Sequence, residues 1–159
     1  MSNMYCNYKN GRYRAKVCDK KIIIISKKKQ DGYDKYIDIL GKEHDDLYMK
    51  EVDFNEVEVV YKEIIEIGYG GMFFQLFSFQ ITQSNIEDGR FMLFTSSEEL
   101  AREYNFEKKE QFVFIKDISR EQVEAIKIIQ KPIKEFEAYG TRKIVIERPG
   151  IDEWLSSLE

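Results

Sequence analysis

The run Glu43-His44-Asp45-Asp46 sets the chain's only imidazole among three carboxylates, the groups that hold a divalent cation or exchange protons as general acid and base. Consecutive residues of one loop rarely converge on a point, and neither a second histidine nor a Cys-x-x-Cys supports a metal centre, so a polar loop is expected here and no metal. Gly68-Tyr69-Gly70-Gly71 has the glycine density of a phosphate cradle. Such cradles follow a strand and feed a helix N-terminus, whereas the flanking patterns here run in the opposite order, which predicts a helix stop and a tight entry into a strand. Lys9, Arg12, Arg14, Lys16, Lys20 and Lys21, interleaved with Tyr5, Tyr8 and Tyr13, carry the chemistry of a nucleic-acid groove, cations for phosphates and rings for bases. Alternation instead places Arg12, Arg14 and Lys16 opposite Tyr13, Ala15 and Val17, the pattern of a half-exposed strand.

Charge is arranged in blocks. The first 29 residues hold nine Lys or Arg against the single acid Asp19, and Asp31 to Glu66 holds twelve acids against four lysines. Blocks of this kind either cancel inside the fold or present a face of one sign to a partner. A net charge of −4 and a pI near 5.3 disfavour nonspecific nucleic-acid binding, which depends on a net basic footprint. A cationic protein partner fits better. The expected contact residues are Glu43, Asp45 and Asp46 in the loop and Glu56, Glu63 and Glu66 on the element that follows, with Tyr48 and Tyr69 as aromatic anchors. Apolar runs such as Ile22–Ile25 are far too short to span a bilayer, so a cytoplasmic chain is expected, with Cys6 and Cys18 reduced and partly buried. No catalytic set is evident and no cofactor is expected.

The elements that must position these residues read as α+β: a single domain over 1–159, mostly antiparallel sheet built from hairpins, with three or four helices packed on it. Met4–Tyr8 and Arg12–Cys18 form a hairpin around Asn10-Gly11, and Lys20–Ser26 adds a third strand. Tyr33–Leu40 and Leu47–Val52 flank the polar loop Gly41–Asp46 and are ambiguous. The pattern Val57, Val60, Tyr61, Ile64, Ile65 behind the capping pair Asp53 and Glu56 predicts a helix from Asp53 to Ile67, ended by Gly68. Met72–Thr82 reads as a central strand covered on both faces, Asn85–Gly89 as a turn, and Arg90–Thr95 as a strand. Ser96 and Glu99 open a short helix bearing Leu100, Ala101 and Tyr104, Gln111–Asp117 is a strand, and Ser119 and Gln122 mark a helical turn, with Pro132 barring a long helix beyond it. Lys134–Ala138 and Arg142–Arg148 read as a hairpin around Tyr139-Gly140-Thr141, and Ile151–Leu158 as a terminal helix.

Two resemblances bear on function. Thr95-Ser96-Ser97 at a strand end, the helix with Ala101 and Tyr104, the strand Phe112–Ile115 and Glu135-Phe136-Glu137 together resemble the second half of an ADP-ribosyltransferase. That resemblance implies a nicotinamide dinucleotide site at Ser96, Glu135 and Glu137, with Arg14 in the arginine's place because no Arg lies between Arg14 and Arg90. In whole-chain character, with its small size, acidity of one half and Ile/Lys/Glu/Tyr-rich texture, the sequence also resembles a bacterial polymorphic-toxin immunity protein. This second resemblance implies an antitoxin: a non-catalytic toxin inhibitor acting by protein–protein interaction, which occludes the active site of a cognate toxin, often a basic nuclease. A phage-encoded inhibitor of a host defence protein shares the same physics.

Overall fold

The computed structural model describes residues 3–158, which form two compact units: one from the residues up to Glu63 with Lys131–Thr141, the other from Ile64–Gln130 with the residues from Arg142 on. In the first, β1 (Met4–Tyr8), β2 (Gly11–Cys18), β3 (Lys21–Ser26), β4 (Asp34–Ile37), β5 (Glu43–Asp53) and the opening half of β6 (Val59–Tyr69) lie in the order β4-β5-β3-β2-β1-β6. The ladders are antiparallel, and β1–β2, β2–β3 and β4–β5 close through short turns. Lys9-Asn10 and Asp19-Lys20 take positive φ at both positions, the two-residue turn whose twist matches its strands. The first turn therefore sits one residue earlier than Asn10-Gly11, and Lys20 belongs to a turn, not to β3. Gly11 already pairs with Tyr8, and a Cβ there would come 2.7 Å from the Tyr13 ring, which would have to swing aside.

Alternation along β1, β2 and β3 buries Cys6, Tyr8, Ala15, Ile22 and Ile24, which join Val52, Val57 and Val60 in this unit's core. Both thiols are free; Cys18 is exposed rather than partly buried, while burial pushes the Cys6 thiol up to about 12.

The helix expected from Asp53 to Ile67 does not form. The capping pair is real, with the Asp53 backbone N–H donating to Glu56 Oε2 at 2.7 Å, but it caps only a 3-10 turn, Phe54–Glu56. From Val59 the chain is extended on β6: Val60 faces the first unit's core beside Cys6, Val59, Tyr61 and Glu63 are buried on the opposite face, and Ile65 and Ile67 enter the second unit's core. The apolar positions satisfied both a 3.6-residue and a two-residue period. Branching at Val57, Val59, Val60, Ile64, Ile65 and Ile67, together with the waiting edge of β1, decides for the strand.

In the second unit the rest of β6 is followed by β7 (Met72–Leu76), α1 (Gln83–Glu87), β8 (Arg90–Thr95), α2 (Glu98–Glu103), β9 (Glu107–Glu110), β10 (Val113–Ser119), β11 (Ala125–Pro132), β12 (Arg142–Glu147) and α3 (Arg148–Ser157). The order is β6-β7-β8-β10-β9, with β12 paired to β11. Ile67, Leu76, Phe91, Leu93, Ile118, Ile126 and Ile151 are essentially sealed from solvent at its centre. β9, Glu-Lys-Lys-Glu, is exposed throughout and ends its row of strands.

Four further expectations are corrected. The fold is dominated by sheet, not by a sheet carrying three or four helices: α1 and α2 have five and six residues, and among the described residues only α3, with ten, is longer. β7 stops at Leu76, because Phe79 at φ 66° turns the chain and its N–H donates to the Leu76 carbonyl; Phe74 and Leu76 are buried on one face while Phe73 and Gln75 on the other are not, so that face is open. Gln83–Glu87 is helical, with Thr82 accepting from the Asn85 N–H as its N-cap, where a turn was expected. Lys134–Tyr139 is a 3-10 stretch, and β12 pairs back to β11, Ile128 facing Ile144, a strand the sequence reading overlooked.

Candidate functional site

β4 and β5 form a hairpin at the margin of the first unit, with β4 bound on one side only among the described residues. Its tip is held through one side chain. Asp38 Oδ1 accepts from the N–H groups of Leu40 and Lys42 at 2.9 Å each, Asp38 N–H donates to the Lys42 carbonyl at 2.9 Å, and Gly41 N–H donates to the Asp38 carbonyl at 2.9 Å. His44 Nε2 completes the clasp, 2.9 Å from Asp38 Oδ2. This is an Asx-type turn, a short polar side chain organising the backbone around itself. The fixed geometry holds Ile39 and Leu40 outward at 96% and 90% exposure, with Ile37 at 50%.

Carboxylates flank this apolar tip. Asp45 is 95% exposed and Glu43 59%, both near Lys35 Nζ at 3.6 and 3.9 Å, and Asp34 and Asp46 are exposed as well. The expected polar loop Gly41–Asp46 is thus largely the start of β5. Its imidazole meets Asp38 through Nε2, and among the described residues no group of three or more His, Cys, Asp or Glu side chains is gathered as metal ligands would be.

The other expected contact acids are spoken for. Glu63 is buried and paired with Arg12, Glu66 lies 3.3 Å from Lys127, and Glu56 caps its turn. Asp53 pairs with Lys21 across the β3–β5 ladder. Tyr48 is half-buried opposite Ser26 and Lys35, and Tyr69 packs against the second core beside Tyr104. The acids gathered at the hairpin are Glu43, Asp45 and Asp46; Glu56, Glu63, Glu66 and Tyr69 lie elsewhere. Ile39 and Leu40 escaped the sequence reading. Their signal was an aliphatic pair between Asp38 and Gly41, a turn setting in which apolar side chains find nothing to pack on.

The rings of the basic hairpin are occupied from within. Arg12 lies over Tyr5 at 4.0 Å and donates from Nε to Tyr61 Oη at 3.1 Å, Lys50 donates to Tyr8 Oη at 3.1 Å, and Lys16 donates to Tyr36 Oη.

Gly70 and Gly71 form the β6–β7 hairpin turn with positive φ, and their two N–H groups point at an anion as a cradle would. The anion is the chain's own: Glu124 Oε2 and Oε1 accept from Gly70 N–H and Gly71 N–H at 3.0 Å each. The expected helix stop is therefore a strand-to-strand turn.

Ser96 precedes α2, whose N-cap is Ser97, and it borders an open cleft with Glu66, Phe73 and Thr95 in the second unit. Glu135 and Glu137 stand on the exposed 3-10 stretch of the first unit, and Arg14 lies on β2 of the same unit.

The clasp makes an acid-range prediction. His44 and then the backbone N–H groups hold the Asp38 carboxyl below its usual range, so its contribution is present at pH above about 4 and is lost as pH falls through the lowered value. Protection of the Leu40 and Lys42 amides, taken relative to the free-peptide exchange rate at each pH, should fall below that pH, and Asp38→Ala should show the lower protection already at neutral pH. Equal protection in the variant would contradict the clasp.

The residues described thus make up a sheet-dominated protein whose most solvent-forward feature is one clasped hairpin. The family model "Uncharacterised conserved protein UCP033725" matches residues 1–135, and the chain belongs to that family. No curated protein and no solved structure matches it.

Proposed function

We propose that this chain is a non-catalytic cytoplasmic binding protein of the immunity type, neutralising a cognate basic bacterial toxin by seating the β4–β5 hairpin over its active site. The observation that supports this reading is the pair Ile39 and Leu40, almost wholly exposed yet fixed by hydrogen bonds, among Asp34, Glu43, Asp45 and Asp46. A backbone already fixed leaves only side-chain rotamers to be ordered when a pocket closes on the pair, and the acids around it steer a cationic rim into place. Internal occupation of the basic strands by Tyr5, Tyr8 and Tyr36 supports a protein partner over a nucleic acid.

The test begins with the neighbouring genes, among which a toxin domain is expected; its absence overturns the reading, and where present it is the probe. Reversing Glu43, Asp45 and Asp46 together to lysine should slow association about tenfold at low salt, with dissociation little changed and the difference fading as salt is raised. Unchanged association, or a wild-type chain that fails to protect cells expressing that toxin domain, overturns the reading.

A further inference from the structure

β12 is the margin of its sheet: it pairs with β11 on one side, and among the described residues no strand pairs with it on the other. Its bounds are firm, with Gly140 at φ 81° before Arg142 and Pro149 in the first turn of α3 just after Glu147. Arg142, Lys143, Ile144, Val145 and Glu147 are all exposed, so no neighbouring element covers the run. Two of these residues are sizeable aliphatics, Ile144 at 37% and Val145 at 47% exposure. Open backbone N–H and C=O groups beside exposed aliphatic side chains form a template for another strand.

The charges on this margin have no internal answer. Across the β11–β12 ladder Lys143 faces Ile129 and Glu147 faces Ala125, and neither joins an ion pair among the described residues. Both share a face with Val145, because successive odd positions of a strand point the same way.

We infer that β12 pairs antiparallel with β12 of a second copy of this chain, about a twofold axis at Val145. A twofold axis that extends a sheet keeps each residue on its own face, so only residues of equal parity can stand opposite one another. With Val145 facing Val145, Lys143 of each copy faces Glu147 of the other, and Ile144 faces Ile146. Two opposite-charge pairs thus flank an apolar centre, the arrangement that stabilises cross-strand neighbours.

Sedimentation velocity on the full chain, from about 1 µM to about 1 mM to cover the range of a small interface, should show a monomer–dimer equilibrium. Lys143→Glu alone and Glu147→Lys alone each convert both cross-strand pairs to like-charge contacts and should weaken the dimer about tenfold. The exchanged variant K143E/E147K should restore it to within about threefold. Both positions are exposed, so circular dichroism and melting of all three variants should match the wild type, and the exchanged variant keeps the test decisive if one single variant folds poorly. A chain that stays monomeric throughout the range overturns the proposal. So does a dimer indifferent to the single changes, or one that the exchange fails to restore.

Discussion

Exchanging Ile39 and Leu40 together for serine should weaken the complex with the cognate toxin domain by about 100-fold while leaving the melting temperature of the free chain unchanged. The two halves of this expectation have one cause. At 96% and 90% exposure neither side chain contributes to a core, so their loss falls among surface changes of about 0.5 kcal/mol or less. In a complex they are the large aliphatics of the hairpin that stand fully clear of the sheet, and burying each in a pocket is worth about 1.5 kcal/mol, which for the pair is the 100-fold expected. The kinetic signature separates them from the acids nearby: the apolar change should appear in dissociation, the charge reversal in association. Titration calorimetry and stopped-flow on the same variants measure both. A fall of several degrees in melting temperature would mean that the tip packs on the chain itself, and an unchanged affinity would remove it as the anchor.

The second large effect lies in the fold. Replacing Glu63 by alanine should cost about 2–3 kcal/mol, a drop of about 5–10 °C in melting temperature. Its side chain is 11% exposed and meets Arg12, which also rests on Tyr5 and donates to Tyr61. Without the carboxylate, the guanidinium keeps its place among rings but loses its counter-charge, the costly way to break such a pair. The figure is set below that of a fully buried pair because the Arg12 side chain is 45% exposed and water screens part of the loss. Glu63→Gln, which keeps an acceptor oxygen, should recover part of the stability, and Arg12→Ala combined with Glu63→Ala should cost less than the sum of the two. Additive costs in urea denaturation would show that the two side chains do not act as a pair.

Much of the first unit was legible in the residues themselves. Alternation fixed β1, β2 and β3 to within a residue or two, because each carries one apolar and one polar face. The same rule marked Arg90–Thr95 without error, and the short helix after it was displaced by one residue because Ser97, not Ser96, accepts from the Leu100 N–H. What could not be read was decided at a distance. Val57 to Ile67 carried a helical and an extended pattern at once, and only the neighbouring strands choose between them. β9 has no apolar residue to betray it, being held through backbone bonds to β10.

The candidate site was half visible. Glu43, Asp45 and Asp46 stood out by charge and do lie together in solvent, whereas Glu63 and Glu66 looked equivalent in the sequence and found cations within their own units. Charge counting cannot tell a carboxylate that faces outward from one that has met an arginine through folding. The Asp38 clasp was hidden for a related reason: its five contacts are made mostly to the backbone, which leaves no residue pattern beyond Asp and Gly.

The twofold axis at Val145 also limits what a sticky strand can lead to. Filament growth needs each added subunit to expose a fresh adhesive rim, and a strand that pairs with its own copy leaves none, so growth closes after a single docking event. High cellular concentration would then fill a pool of pairs without seeding fibres.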